Sequence, residues 1–471
     1  MARRSIWPPR PDRTFLALGL VAGLTLVFLN PPLQGPDEGA HLRRAYQLSL
    51  GRVLARNEGG YAGEILPTSL HGTAMRALGR LCLHPERRLT WEAYREVLAL
   101  PLDPGRTTFA EFRNTAVYSP LPYLPQSALL ALARLAETRP LFLLYLGRLA
   151  GLASWLGLIF AAIRVAPFGR WLLVAVALSP VAMVEGAVLN ADSITIGLGF
   201  LTLALGLALA ARADTQPYAR RDLAAFAAAA AALALCKFVY ATLALLVLAM
   251  PRPRTVPLRR HLAVLAAVLA LVAIAWSSWS TVATRLWLET RLAQDASLGN
   301  DSDPDPLANG PRQTHLREML LDPAPHLALI GRTLVHEEPW MRAIASIDWG
   351  VALPRAPSLV LLLLLVGIGV LSGAREPALT LATRGLLVAA AAAAMLGPYL
   401  IHCALGANLD APYIRGVHGR YWVPVVPALL LAISSGRFSG AARFLPQLAI
   451  GASLLSFGLT CWALLHRYYL P

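Results

Sequence analysis

The sequence is poor in charged residues. Asp, Glu, Lys and Arg together make up 15% of it, whereas 56% of the residues are hydrophobic. This balance excludes an ordinary water-soluble protein. Because ionisable groups are costly inside a membrane, the few that interrupt the apolar sequence are candidates for a functional site.

Cysteine is also scarce. The four cysteines, Cys82, Cys236, Cys403 and Cys461, lie far apart and form no CxxC pair. Their spacing argues against both a disulfide framework and a zinc site.

The chain contains a single lysine, Lys237, against 41 arginines. A net charge of +15 would indicate a nucleic-acid partner in a soluble protein. Here the arginines are concentrated in short linkers between apolar runs, where they orient membrane helices. We therefore expect the lipid bilayer, and no nucleic acid, as a partner.

Apolar runs that approach or exceed the length needed to cross a bilayer recur along the chain. The first lacks the small-x-small cleavage motif of a signal peptide, so we expect it to remain as a span. No internal repeat is evident. The candidate spans are residues 14–30, 139–163, 168–187, 190–211, 222–250, 260–282, 356–373, 384–405, 421–437 and 444–466.

Residues 222–250 are too long for one ordinary span and carry Lys237 in their middle. Arginines flank both ends, and the positive-inside rule places both flanks in the cytoplasm. We therefore predict two short helices that turn at Cys236 and Lys237. The result is an all-α polytopic fold of about eleven transmembrane helices, with a cytoplasmic N-terminus.

The predicted topology leaves two long loops on the extracytoplasmic side. Residues 1–282 would form the main membrane module, including a first outer loop at 31–138 whose residues 119–137 lie as a juxtamembrane helix. Residues 283–355 would form a helical cap between spans seven and eight, and 356–471 the remaining spans.

The stretch "NDSDPDP", residues 300–306, begins like a calcium-binding loop. Pro306 stands where glycine is needed, and Arg312 stands where the closing Glu belongs. A solvated turn is the better interpretation.

Two adjacent acids and a histidine follow the first span. Pro36 suits a first helical turn, where Asp37 and Glu38 would favour the helix dipole, and His41 comes one turn after Asp37. Ordinary helix-start chemistry explains this pattern. The alternative is a catalytic group, in which a carboxylate acts as general base with an imidazole as partner.

Further polar residues surround the third and fourth spans. Asn190 and Asp192 either cap the fourth span or position an acceptor or a metal ion. Glu185 lies inside the third span, where it is costly, and would pair with Arg148 or with a group in a cavity.

Basic and aromatic residues complete the predicted site. Lys237 is either a snorkelling residue or a compact charge that reaches a phosphate. The segment "IRGVHGRYWVP", residues 414–424, places three basic side chains before a span, which indicates an anionic ligand. The predicted phosphate-binding residues are Lys237, Arg415, His418 and Arg420, and the predicted aromatic lining is Tyr118, Tyr123 and Tyr421.

Two carboxylates opposed by cations beside a membrane suit a lipid-linked phosphate ester and a hydroxyl nucleophile. A base would remove the hydroxyl proton while the cations stabilise the departing phosphate.

Five motifs, "PDEGAHLRRAYQLSLG", "YSPLPYLPQ", "LNADS", "CKFVY" and "GVHGRYWVP", occur in this order over most of the chain. In this pattern the sequence resembles a bacterial membrane-protein family, the domain of unknown function 2142, which is grouped with the GT-C glycosyltransferases. Leu42 replaces the usual aromatic residue after His41, and His418 stands where glutamine is common.

The resemblance implies a catalytic acid in the first outer loop, at Asp37, and a second acid at Asp192. It further implies that Lys237 and Arg420 hold the phosphate of a polyprenyl-phosphate sugar donor. The predicted function is an integral membrane glycosyltransferase of the bacterial cytoplasmic membrane. It would transfer a sugar, with inversion, to an extracytoplasmic glycan, lipid or protein in cell-envelope assembly. A requirement for a divalent metal ion stays open.

Two alternatives use the same residues without bond breaking. A transporter or flippase for a lipid-linked saccharide would bind the substrate with these charges, although transporters often show internal repeats. A non-catalytic envelope scaffold is the other alternative.

Overall fold

A computed structural model describes residues 9–136, 138–218, 220–297, 312–348, 350–373, 379–404 and 412–470. Within these residues, six helices are long and apolar enough to cross a membrane, or seven if one bent pair counts as a span. The calcium-like stretch at 300–306 lies outside the described residues.

The first helix leads into a long loop of mixed structure. After α1 (Pro11–Leu29), this loop contains α2 (Glu38–Ser49), α3 (Thr73–Gly79), α4 (Trp91–Ala99), α5 (Arg113–Ala116) and α6 (Leu124–Ala133). It also contains an antiparallel sheet of β1 (Arg56–Glu58), β2 (Tyr61–Pro67) and β3 (Thr107–Glu111), with β2 in the centre.

The prediction of an all-α fold missed this sheet. A Cβ at Gly63 would lie 2.3 Å from the Ala110 carbonyl oxygen, so glycine permits the close pairing of β2 and β3. Residues 119–137 contain a 3-10 turn, Leu121–Tyr123, followed by α6, and the predicted position of this segment along the membrane surface stays a prediction.

The central helices follow this loop. They are α7 (Pro140–Val165), α8 (Arg170–Ala177), α9 (Pro180–Ala187), α10 (Asp192–Ala210), α11 (Arg220–Cys236), a 3-10 helix (Phe238–Ala249) and α12 (Leu258–Ser297). The apolar stretch of α10 is 83% buried, against 39% for α1, so α10 lies deep within the bundle. Its first residue, Asp192, is consequently held by packing on several sides.

The second long loop and the last helices complete the fold. They comprise α13 (Arg312–Leu321), α14 (Pro323–Glu337), α15 (Pro339–Ala345), a hairpin of β4 (Ser346–Asp348) and β5 (Val351–Ala352), α16 (Arg355–Leu371) and α17 (Leu381–Ala404). After them come 3-10 helices at Gly419–Trp422, Gly436–Phe438 and Ala441–Phe444, the short α18 (Val426–Ala432), and α19 (Leu445–Tyr468). The described part of the second long loop contains helices α13, α14 and α15 and a β-hairpin, and its function as a cap stays a prediction.

The structure bends one predicted span and corrects another. Residues 168–187 form α8 and α9, which meet at a 66° bend just before Pro180. Within the described residues 421–437 the only α-helix is the seven-residue α18, which begins at Val426 after Pro424 and has Pro427 in its first turn. By length and composition the described helices support six or seven spans, and the predicted eleven stays a prediction.

The predicted break at Cys236 and Lys237 is present. Helix α11 ends at Cys236, Lys237 has an extended backbone, and the Phe238–Ala249 segment contacts α11. The second half is a 3-10 helix where we predicted an α-helix. The break places Lys237 between two segments that pack against each other.

Two hydrophobic cores meet near the start of α10. One fills the helical bundle, and the other lies beneath the first long loop. The end of α19 also docks on this loop, where Arg467 donates to the Leu81 carbonyl at 2.7 Å and the Leu89 amide donates to Tyr468.

Candidate functional site

A buried ion pair anchors the site. The Arg148 side chain on α7 donates to both carboxylate oxygens of Glu38, at 2.7 and 2.6 Å. It also donates to the carbonyls of Val27, Asn30 and Pro31, so the end of α1 and the start of α2 are held on α7.

Glu38 further accepts from the Leu189 amide at 2.8 Å, just before α10. Both oxygens of Glu38 are thus engaged within the protein. The pair joins the segment that carries Asp37 to the segment that carries Asp192.

Asp37 has a left-handed backbone, with φ of 58°, at the N-cap position of α2. This conformation is uncommon outside glycine, although Asp adopts it more readily than most residues. Its side chain makes no capping hydrogen bond, so helix capping does not account for the carboxylate. Asp37 is also the accessible acid, since its side chain is 35% exposed and those of Glu185 and Asp192 are 2% and 6% exposed.

Four side chains that are far apart in the sequence converge. Lys237 Nζ lies 2.5 Å from Asp192 Oδ1, and Arg420 Nε lies 3.4 Å from Asp192 Oδ2. Arg420 Nη2 lies 3.7 Å from Asp37 Oδ2. We refer to Asp37, Asp192, Lys237 and Arg420 as the charge cluster.

Glu185 is a fifth ionisable group at the charge cluster, and our candidate site residues did not include it. Its Oε1 lies 3.9 Å from Arg420 Nε, and its Oε2 accepts from Asn190 at 2.5 Å. Of its two predicted partners, the structure selects the cavity group, because Arg148 pairs with Glu38. An acid inside an apolar run was the signal that could have included it.

Asn190 caps α10. Its Oδ1 accepts from the Ser193 amide at 2.9 Å, while its carbonyl accepts from Gln126. Asp192 makes no side-chain cap, because its carboxylate faces Lys237 and Arg420 instead. Asn190 and Asp192, which were predicted together, therefore have separate contacts.

Close packing positions Arg420. A Cβ at Gly419 would lie 2.3 Å from the Arg342 carbonyl carbon, so only glycine lets this segment pack on α15. Burial lowers the pKa of Arg420, but Glu185, Tyr421 and Asp192 outweigh it and raise the pKa above its ordinary value. Its buried Nε has no hydrogen-bond partner among the described residues, and its acid contacts are longer than hydrogen bonds.

Two tyrosines flank Lys237. Its Nζ lies 4.7 Å from the ring centre of Tyr421 and 5.5 Å from that of Tyr118, within the range of cation–π contacts. Tyr240 donates to the Tyr421 carbonyl at 2.7 Å and thereby holds this segment. The ammonium group of Lys237 is thus paired with Asp192 and enclosed between two rings, with 11% of the side chain exposed.

The His41 ring is hydrogen-bonded to Tyr123, with Nδ1 2.7 Å from the hydroxyl oxygen, and stacks on Tyr118. Burial lowers the pKa of His41 to about 3, so the ring is neutral at physiological pH. We predicted His41 as a partner for the Asp37 carboxylate. The ring hydrogen bond found here goes to Tyr123 instead.

The other two predicted phosphate-binding residues, Arg415 and His418, are placed differently. Arg415 is exposed and its guanidinium stacks 5.5 Å from the Tyr413 ring. His418 is half-buried and contacts the edge of Tyr421, and burial, with Arg420 and Lys237, lowers its pKa to about 4. His418 is therefore close enough to the charge cluster to feel its charges, whereas Arg415 contacts Tyr413.

Three cavities adjoin the charge cluster. An aromatic cavity of about 610 Å³ is lined by Lys237, Tyr118, Tyr421, Trp276, Trp279 and Tyr240. An arginine-rich cavity of about 520 Å³ is lined by Asp37, Arg43, Arg76, Arg80 and Arg113. A smaller cavity of about 200 Å³ is lined by Glu185, Arg342, His418 and Arg420.

Among the described residues, no group of three or more His, Cys, Asp or Glu side chains is arranged to hold a metal ion. The acids of the charge cluster are paired with Lys237 and Arg420. The arrangement can accept a proton at the exposed Asp37 and present two cations to an anion.

The helices and the buried charges define a polytopic membrane protein with a polar site at one end of its helical bundle. The model of a family described as a predicted membrane protein, DUF2142, matches residues 20–429. The chain belongs to this family, which confirms the resemblance inferred from the motifs.

Two solved structures match this chain over most of its length. ArnT from Cupriavidus metallidurans in the apo state matches with 14% identity and a TM-score of 0.44, covering 96% of this chain and 76% of that one. ArnT bound to undecaprenyl phosphate matches with 16% identity and a TM-score of 0.35, covering 93% and 77%. No curated protein matches the sequence.

Proposed function

We propose that this protein is an integral membrane glycosyltransferase of the GT-C type that uses a polyprenyl-phosphate sugar donor and an extracytoplasmic acceptor. The observation that carries the proposal is the convergence of Asp37, Asp192, Lys237 and Arg420 between two large cavities. One cavity is aromatic and the other is rich in arginine, which suits two substrates of different polarity.

The donor would enter through the aromatic cavity. Trp276 and Trp279 belong to the long apolar helix α12, so this cavity borders a helix suited to lipid. A prenyl chain would contact the aromatic and aliphatic walls, and its phosphate would reach Lys237 at the inner end. Arg420 supplies a second cation, whose Nε makes no hydrogen bond within the described residues.

In the reaction, the acceptor hydroxyl gives its proton to the Asp37 carboxylate while its oxygen bonds to the anomeric carbon. The bond between that carbon and the phosphate oxygen breaks, and its electron pair stays on the phosphate. Lys237 and Arg420 stabilise the negative charge that develops there. A single displacement of this kind inverts the anomeric carbon.

In this proposal most of the remaining predicted residues hold other side chains in position. Asp192 holds Lys237 and Arg420 in place, and Asn190 fixes the start of α10 beneath it. Glu38 aligns the Asp37 segment through Arg148, and neutral His41 supports Tyr118 and Tyr123 beside the donor cavity. Arg415 is exposed and has no part in the transfer step.

The proposal is tested with the purified full-length protein in lipid nanodiscs and a panel of undecaprenyl-phosphate hexoses and pentoses. A bacterial envelope extract supplies the acceptor, and the readout is the release of undecaprenyl phosphate. Asp37→Asn should lower the rate by about 10²–10⁴-fold, as expected for loss of a general base, while donor binding is retained. Glu96→Gln, an exposed acid of the same loop, should have the wild-type rate.

Movement of the lipid-linked sugar across the bilayer, without release of undecaprenyl phosphate and at an equal rate in Asp37→Asn, would reject the transferase and favour a transporter. Absence of both transfer and donor binding with every panel member would reject the polyprenyl-phosphate donor.

A further inference from the structure

The arginine-rich cavity holds more positive charge than the transfer reaction explains. Arg43, Arg76, Arg80 and Arg113 line it together with the acids Asp37, Glu38 and Glu111. Its volume of about 520 Å³ lies within the range of small-molecule sites, which is about 300–1,000 Å³.

The acids of this cavity are already engaged. Glu38 is bound by Arg148, Glu111 pairs with Arg113 at 3.1 Å, and Asp37 faces Arg420. Arg43, Arg76 and Arg80 make no ion pair with a carboxylate within the described part of the chain. These three arginines therefore line the cavity without a carboxylate at ion-pair distance among the described residues, although Glu111 is near enough to Arg43 to offset part of the lowering of its pKa by burial.

Arg43 is the most enclosed of these arginines. Its Nε is buried and has no hydrogen-bond partner in the residues that the structure describes. Burial also lowers its pKa to about 10, although the group stays charged at physiological pH. A buried guanidinium donor without an acceptor is costly, and an anion in the cavity would satisfy it.

We propose that this cavity is the acceptor subsite and that it selects acceptors carrying a phosphate or carboxylate group. The inference rests on the proposed function and extends it from any hydroxyl compound to an anionic saccharide. Arg43, Arg76 and Arg80 bind the anionic group, and Asp37 on the same cavity wall receives the proton of a neighbouring hydroxyl.

The test compares glucose with two anionic derivatives of it, glucose 1-phosphate and glucuronate. Binding is measured by calorimetry on the full-length protein in phosphatidylcholine nanodiscs at low salt. Both anionic probes should bind at least about tenfold tighter than glucose, and their advantage should shrink as salt is raised. In Arg43→Gln/Arg80→Gln the three probes should bind alike.

Arg80→Gln alone, at an exposed side chain, covers the case in which the double variant does not fold, and should lose part of the preference. The matched control is Arg95→Gln, an exposed arginine of the same loop that does not line the cavity, which should keep the full preference. Equal binding of all probes in the wild type, or an unchanged preference in both variants, would overturn the subsite.

A second set of nanodiscs, made of phosphatidylglycerol, distinguishes binding of a saccharide acceptor from binding of lipid headgroups. In phosphatidylglycerol nanodiscs the anionic headgroups could compete with glucose 1-phosphate for the arginines. If these nanodiscs abolish glucose 1-phosphate binding to the wild type but not to Arg80→Gln, the arginines bind phospholipid headgroups and the acceptor proposal is overturned. Binding of undecaprenyl phosphate is recorded in every case, since its retention with Asp37-dependent transfer would leave the proposed function standing.

Discussion

Arg148 and Glu38 form a fully buried pair in which the guanidinium donates to both carboxylate oxygens. The sequence separates them by 110 positions. Their contact fixes the turn that carries Asp37 against the segment that precedes Asp192, so the geometry of the charge cluster depends on it.

Breaking this pair should destabilise the fold. Removal of one partner leaves the other charge buried and unpaired. Glu38→Gln and Arg148→Met should therefore each lower the free energy of unfolding by about 3–5 kcal/mol. Thermal unfolding in detergent measures the loss, and Glu38→Gln/Arg148→Met should recover part of it. A Glu38→Gln protein that keeps the wild-type melting temperature but loses transfer would instead make Glu38 catalytic.

Replacement of Lys237 should separate donor binding from folding. Lys237→Met leaves Asp192 with one cation and should weaken undecaprenyl phosphate binding by at least about tenfold. Lys237→Arg should not restore it, because the site between Tyr118 and Tyr421 encloses a compact ammonium group. Binding is followed by tryptophan fluorescence of the aromatic cavity.

The double variant Lys237→Met/Asp192→Asn is the folding control for this experiment. It removes both charges of the 2.5 Å pair and should melt at a higher temperature than Lys237→Met while still failing to bind the donor. Donor binding at wild-type strength in Lys237→Met would remove Lys237 from the phosphate site.

His41 should make stability depend on pH. Its pKa is about 3 in the folded protein, against an ordinary 6.5, so between these values the unfolded chain binds a proton that the folded chain does not. The free energy of unfolding should therefore fall as the pH drops from about 6.5 towards 3. His418, whose pKa is about 4, acts in the same direction.

The measurement is the melting temperature of wild type and His41→Gln over this pH range. The variant should lose less stability on acidification, because it has no imidazole to protonate. Parallel curves for the two proteins would show that His41 does not carry the effect.

Gly419 should tolerate no side chain. A Cβ there would lie 2.3 Å from a backbone atom of Arg342, so Gly419→Ala must displace the Arg420 segment from α15. We expect a loss of about 1–3 kcal/mol in stability and a fall in transfer. Gly440→Ala is the control, since a Cβ there meets open space. Equal melting temperatures and rates for both variants would contradict this packing account.

Much of the site could be predicted from sequence. An acid, an amide or a lysine next to an apolar run is costly, so Asp37, Asn190, Asp192 and Lys237 were identifiable without coordinates. The break at Lys237 followed from arginines on both flanks of one long run. Arg148 and Glu185 were recognisable as charged residues inside apolar runs. Their ion-pair partners could not be chosen from sequence, because pairing depends on which helices are neighbours.

Two features could not be predicted in the same way. They are the sheet of the first long loop and the lack of a long α-helix in residues 421–437. Pairing of β2 with β3 joins residues about 40 to 48 positions apart and depends on the close approach at Gly63. The two prolines of 421–437 were visible, but the apolar composition outweighed them in the span prediction.

Apolar length and the placement of a few charges determined by themselves that this chain is a membrane protein with a polar site, since both follow from the cost of burying charge in lipid. Only the tertiary structure decided which acid pairs with which base, and which carboxylate stays exposed. Those outcomes depend on distances of a few ångströms between helices far apart in the chain, and Coulomb and hydrogen-bond energies change steeply over such distances.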